Sequence, residues 1–166
     1  MRMKNKTACF TGHREIPEDQ YNTIDACLTK TIRRLIENNY CFFCTGGALG
    51  FDTMAAQTVL NLKQSYPHIR LILVLPYPEH AHKWDIQNKI VYEQIKLHAD
   101  RVIYTAQTYY RGCMHIRNRF LVDNSSICIC YQTEDHGGTA YTVHYAKKHG
   151  LPIINIAQNM GNRQLT

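Results

Sequence analysis

Three short stretches hold the residues whose types and spacing suit anion chemistry: "TGHR" at Thr11–Arg14, "TGGALGFD" at Thr45–Asp52 and "DHGGTAYT" at Asp135–Thr142. Glycine lets backbone approach a phosphate closely, and a helix start behind it supplies free N–H groups and the positive end of the helix dipole. Gly12, Gly46, Gly47, Gly50, Gly137 and Gly138 are therefore candidate phosphate contacts, with Thr139 offering a hydroxyl at the second helix start. Tight turns use the same residue, so a turn role stands beside the anion role at each. Neither helix-leading stretch is a dinucleotide GxGxxG or a Walker loop, because no GK[ST] follows.

Two arginines add charge to this set. Arg14, beside Gly12, is a candidate phosphate clamp. Arg117 shares its helical spacing with Met114 and Leu121, on a face expected to pack inward. A charge there calls for a bound anion or an internal carboxylate. Asn118 beside it is a candidate ligand hydrogen-bonder. Asp52 stands where a carboxylate commonly caps a helix; a ribose hydroxyl contact and a catalytic role are the alternatives. Asp52 and Arg117 are accordingly the catalytic candidates. Tyr77 and Trp84 follow an apolar strand and are candidates for stacking on a base, worth about 1–3 kcal/mol. Trp84 would serve equally as the anchor of a helix start. His80 and His82 lack a third ligand, so no metal is expected. His13 and His136 sit in the same loops as the glycines and are placed to touch a phosphate.

These residues need elements to hold them. Six short apolar runs read as strands: Thr7–Gly12, Tyr40–Gly46, Ile69–Pro76, Arg101–Thr105, Ser126–Tyr131 and Pro152–Ile156. They recur about every thirty residues, the size of a βαβ unit. Between the first two, Ile24, Cys27, Leu28, Ile32, Leu35 and Ile36 trace one helical face. Met54, Ala55, Val59 and Leu62 mark the next helix, and Ile86, Ile90 and Leu97 the one after. Met114, Arg117 and Leu121 mark a fourth, and Ala140, Val143 and Ala146 a fifth. The alternation predicts an α/β, doubly wound, Rossmann-like and mostly parallel sheet of about six strands, helices on both faces and the first strand central. Residues 1–166 read as a single domain. Ligands in such a fold sit beyond the carboxyl ends of the strands, where the strand order reverses. The glycine loops are all predicted on that rim.

Composition narrows the class. The chain has 166 residues, 45% of them hydrophobic and 19% charged, which suits a globular domain with a full core. No apolar run approaches the roughly 18 residues of a membrane span, and the basic lead is too short for a signal segment. Cytoplasm and no membrane partner are expected. The net charge of +6 favours anionic partners. Seven cysteines without an export signal argue against a disulfide framework. The CxxC of Cys41 and Cys44 falls in a strand, where neither a zinc knuckle nor a redox helix start fits, and the cysteines read as small buried hydrophobes.

The motifs "TGHR", "GGALGFDTMAAQ", "PYPEHAHKW", "RNRFLVDNSSICICY" and "GGTAYTVHYAKKHGLPIINI" together resemble the YpsA-like branch of the SLOG superfamily, from Cys9 to Ile156. That resemblance implies a Rossmann-like fold that binds nucleotides or nucleotide-derived ligands, with no required cofactor and a bound group such as AMP, ADP-ribose or an NAD-like molecule. Two related families point in different directions. The segment around Arg117 is similar to the Lonely Guy phosphoribohydrolases, which carry an arginine there, but His144 takes the place of their catalytic glutamate. "TGGALGFDTMAA" resembles the phosphate-contacting turn of the DNA-processing protein A family, whose accessory domains are missing from this sequence. The first expectation is a sensor or binding protein for a small nucleotide-derived molecule, with a homo-oligomer compatible with it. The alternatives are an N-glycosidic hydrolase of nucleoside 5'-monophosphates and, less favoured, a single-stranded nucleic-acid-binding module.

Overall fold

Ala8 and Phe10 point to one side of the first strand and Cys9 to the other, and each side meets its own apolar cluster. A strand buried on both faces lies between two layers of helices. The computed structural model describes residues 3–161, and in it β1 (Thr7–Gly12), β2 (Phe42–Thr45), β3 (Arg70–Leu75), β4 (Arg101–Tyr104), β5 (Ile127–Tyr131) and β6 (Ile153–Asn155) form one sheet. Its order is β4-β3-β2-β1-β5-β6, with every pairing parallel. All six strands fall inside the segments read from the sequence, and β1 lies at the middle of the sheet as expected.

The helices are α1 (Tyr21–Glu37), α2 (Phe51–Lys63), α3 (Ile86–His98), α4 (Cys113–Asp123), α5 (Gly137–Lys148) and the short α6 (Ile156–Gly161). α1 packs beside α2 and α6, and α2 beside α3; α4 and α5 pack together on the other face. The larger core joins Ile24, Leu28 and Ile32 of α1 to Phe51 and Met54 of α2 over Phe43 and Leu73. The smaller one sets Leu121 and Val122 of α4 and Ala146 of α5 against Cys9, Cys44 and Cys128. No helix among the described residues is long and apolar enough to cross a membrane.

α3 departs from the sequence reading. Ile86, Ile90 and Leu97 face outward, exposed at 67%, 49% and 74%, while Tyr92 and Ile95 are buried. The helix start fixes this rotation. Asp85 caps it by accepting the Asn88 N–H at 3.0 Å, and Trp84 and Tyr92 pack edge-on with ring centroids 5.4 Å apart. Cys41 lies just before β2 and is half-buried, whereas Cys44 in the strand is buried.

The strand order reverses between β1 and β5. The β1–α1 and β5–α5 loops therefore diverge at the carboxyl edge and leave a crevice between them.

Candidate functional site

A cavity of about 390 Å³ fills that crevice, within the range of small-molecule sites. One wall is Gly12 at the end of β1 with His13 and Arg14 after it; the facing wall is Glu134, His136, Gly137, Gly138 and Thr139 at the start of α5. Ala48 and Asp52 come from the β2–α2 junction, and Met114, Arg117, Asn118 and Leu121 from α4. A larger groove of about 510 Å³ lies elsewhere, against Phe42, Ile72, Val74, Ile103 and Phe120. Its walls are mostly apolar and none of the anion-binding candidates reaches it. The smaller cavity is the one with convergent polar groups.

Arg117 is 6% exposed. Its Nη1 donates to the Gly46 carbonyl, and its Nε donates to Asn118 Oδ1 at 2.7 Å. The guanidinium has five N–H donors, so the side chain is braced with donor capacity left over. Burial disfavours the charged form of Arg117, and the Asp52 carboxylate opposes that effect. Asp52, 5% exposed, accepts the Ala48 N–H at 3.2 Å through Oδ2. It closes the turn that precedes its helix; the N-cap position itself is Gly50, which has no side-chain cap. Burial pushes the Asp52 carboxyl up to about 6, against the pull of Arg117, the Ala48 N–H and Arg14. Asp52 is thus a buried carboxyl held beside a fixed cation within the cleft.

The glycines divide into two kinds. A Cβ on Gly46 would meet Arg117 Nη1 at 2.5 Å and Asp52 Oδ2 at 2.9 Å. One on Gly12 would meet the Phe51 ring at 2.5 Å, and one on Gly50 the carbonyls of His13 and Arg14. Gly47 has φ +67° and lies against Leu75, with its carbonyl 3.4 Å from His80 Nε2. Gly46, Gly47 and Gly50 are not in the cavity lining; they let the two loops and Arg117 close up behind it. Gly137 and Gly138 do line the cavity, and a Cβ on either meets nothing within 4 Å. Gly137 has φ +85°, which by itself requires glycine. Gly138 has no such requirement.

The structure thus brings together Gly12, Arg14, Asp52, Arg117, Asn118, Gly137, Gly138 and Thr139 from the sequence reading. It does not bring in Tyr77 or Trp84, which pack around His80 at centroid distances of 6.1 and 5.4 Å, outside the lining. His144 is exposed on α5, also outside it. Met114, on the inward face it shares with Arg117 and Leu121, lines the cavity with them. Ala48 gave no signal in the sequence, because it contributes through its place in a turn. His82 is exposed, and no group of three or more His, Cys, Asp or Glu among the described residues is arranged to hold a metal.

The family model for YpsA, described as the YspA SLOG family, matches residues 10–157, which span every element of this cavity. The chain belongs to the YpsA family. It is 30% identical over 128 residues to a UPF0398 protein of Brevibacillus brevis, covering 75% of this chain and 68% of that one. The fold is similar to DNA processing protein A of Streptococcus pneumoniae, with a TM-score of 0.65 at 14% identity over 98% of this chain and 56% of that one. It is also similar to the Helicobacter pylori DNA processing protein A, described for its single-stranded DNA binding mode, with a TM-score of 0.63 at 15% identity, covering 98% and 74%. This YpsA-family chain therefore spans about two thirds of the UPF0398 protein and just over half of the pneumococcal one.

Proposed function

We propose that this YpsA-family protein binds the phosphate of a nucleotide-derived small molecule in the cavity at the β1/β5 crevice, as a cytoplasmic sensor or binding protein. The observation that carries the reading is the convergence of a buried, braced guanidinium and an open helix N-terminus on one cavity. Gly138 supports it, because its missing side chain is required by neither backbone conformation nor packing and leaves the N–H groups of α5 accessible. Ligands of AMP, ADP-ribose or NAD type have the anion this cavity suits; no further cofactor enters the reading. Asp52 stands within the same cavity, to accept a ribose hydroxyl.

A second reading rests on the Asp52 carboxyl, which burial holds up to about 6. Cleavage of an N-glycosidic bond builds positive charge on the ribose, which a carboxylate stabilises while helping to activate water. Asp52 would then stand in for the glutamate that the hydrolase relatives carry where this chain has His144. A single-stranded DNA reading has the fold of DNA processing protein A behind it.

A thermal-shift series with orthophosphate, AMP, ADP-ribose, NAD and an oligodeoxynucleotide tests all three. Ligand at about 100 times its dissociation constant adds roughly 2.7 kcal/mol of stability. The expected result is stabilisation by AMP, ADP-ribose and NAD, lost in Arg117→Ala. Removing hydrogen bonds to a charged group costs about 1.5–3 kcal/mol, so affinity is expected to fall about 10- to 100-fold. Release of free base from AMP, abolished in Asp52→Asn while binding persists, would replace the sensor reading with the hydrolase one. A shift with DNA alone, falling steeply with salt, would contradict both.

A further inference from the structure

The cavity does not end at its lining. Beyond His13, Arg14 and Glu134, which belong to both, a second and more open groove of about 550 Å³ continues along the β1–α1 loop past Glu15, Ile16 and Pro17 to Tyr131 and Thr133. The two compartments differ in charge. Arg14 and Glu134 line both; the inner one adds Arg117, the buried carboxyl of Asp52 and the start of α5. The outer one adds Glu15 to the shared Glu134 and offers an apolar edge at Ile16 and Pro17.

Tyr131 gives the outer groove a polar group on an aromatic wall. Its side chain is 3% exposed, and its ring stacks on Phe51 with centroids 6.0 Å apart. Its hydroxyl makes no hydrogen bond to another described residue and is open to the groove that Tyr131 lines. The neighbouring His13 is fixed in place: its Nε2 accepts the Thr133 N–H at 2.9 Å. An N–H can only donate, so the ring proton of the neutral imidazole sits on Nδ1.

We infer that the outer groove is a second compartment of the same site, which takes the neutral, amino-bearing ring of a mononucleotide while the inner cavity takes its phosphate. This rests on the phosphate reading above. Glu15 and Glu134 accept from an exocyclic amine, the Tyr131 hydroxyl meets a ring nitrogen, and Ile16 and Pro17 cover the ring face. The same carboxylates exclude a continuing polynucleotide, whose next phosphates would have to pass them; strand-binding grooves are lined with positive charge.

Calorimetric titration of AMP and of ribose 5-phosphate into wild type, Tyr131→Phe and Ile16→Glu tests this, with Tyr131→Phe keeping the ring on Phe51. AMP is expected to bind at least tenfold more tightly than ribose 5-phosphate to wild type. Tyr131→Phe and Ile16→Glu are each expected to remove most of that advantage and to leave ribose 5-phosphate affinity within twofold. Equal affinity of the two ligands for wild type, or variants that weaken both ligands alike, would overturn the compartment and leave the phosphate reading standing. If neither ligand binds wild type, the phosphate reading itself fails. An eight-nucleotide oligodeoxyadenylate binding more tightly than AMP would overturn the exclusion of a strand.

Discussion

Asp52 is a carboxyl group whose ionisation the fold opposes, and Arg117 is the reason the opposition is incomplete. Burial raises its titration from an ordinary 3.8 to about 6. A group raised in this way contributes stability that is fully present below pH 3.8 and lost as the pH rises through 6. The whole span corresponds to roughly 3 kcal/mol, at about 1.36 kcal/mol per pH unit. Asp52→Asn cannot ionise, so relative to wild type it is expected to gain up to that amount between pH 4 and pH 7.5. Urea midpoints of the two proteins at both pH values check this. A difference between them that does not change with pH would mean that the carboxyl ionises as freely as in water. Arg117 was legible as a charge on an inward helix face. Its bond to the Gly46 carbonyl was not, because two residues 71 positions apart meet only through the sheet.

At the scale of elements, the loops explain why the glycines were half legible. Sequence marks a glycine-rich turn before a helix but not which way its Cα atoms face. Gly46, Gly47 and Gly50 turn out to serve close approach behind the cavity, and Gly137 and Gly138 line it. Substitution separates the two kinds. Gly50→Ala combines a strained positive-φ backbone (φ +75°, ψ −117°), costing about 1–3 kcal/mol, with a clash against the His13 and Arg14 carbonyls, and is expected to destabilise strongly. Gly46→Ala displaces Arg117 and is expected to lose about 1–3 kcal/mol by overpacking together with phosphate affinity. Gly138→Ala meets no neighbour and replaces glycine by a better helix former, so its melting temperature should hold or rise. The same methyl stands at the mouth of the cavity and is expected to reduce phosphate affinity. Melting curves and phosphate titrations of the three variants check the division. A destabilised Gly138→Ala with unchanged affinity would assign that glycine to the turn alone. Tyr77 and Trp84 misled for a related reason: aromatic residues at a strand end fit stacking on a base, and here they pack around His80 and the start of α3 instead.

For the molecule as a whole, alternating apolar runs and helical faces gave the strand positions closely, because a doubly wound sheet buries each strand on both sides. The exposed stripe of α3 was not legible, since apolar residues spaced by four and seven have the same periodicity whether the face turns inward or out. The crevice follows from topology more than from any motif. β5 lies on the far side of β1 from β2, so the loops after β1 and β5 part and the start of α5 faces Arg14 and Arg117 across the gap. The central claim is that a nucleotide phosphate rests there, and amide NMR during a titration with AMP tests it most directly. The account predicts that the largest shifts fall on the amides of Gly137, Gly138 and Thr139 and on the Arg117 side-chain Nε–H, with Gly46 and Gly47 moving less. Shifts centred on Gly46 and Gly47 with the start of α5 silent, or no saturable shift at all, would contradict it.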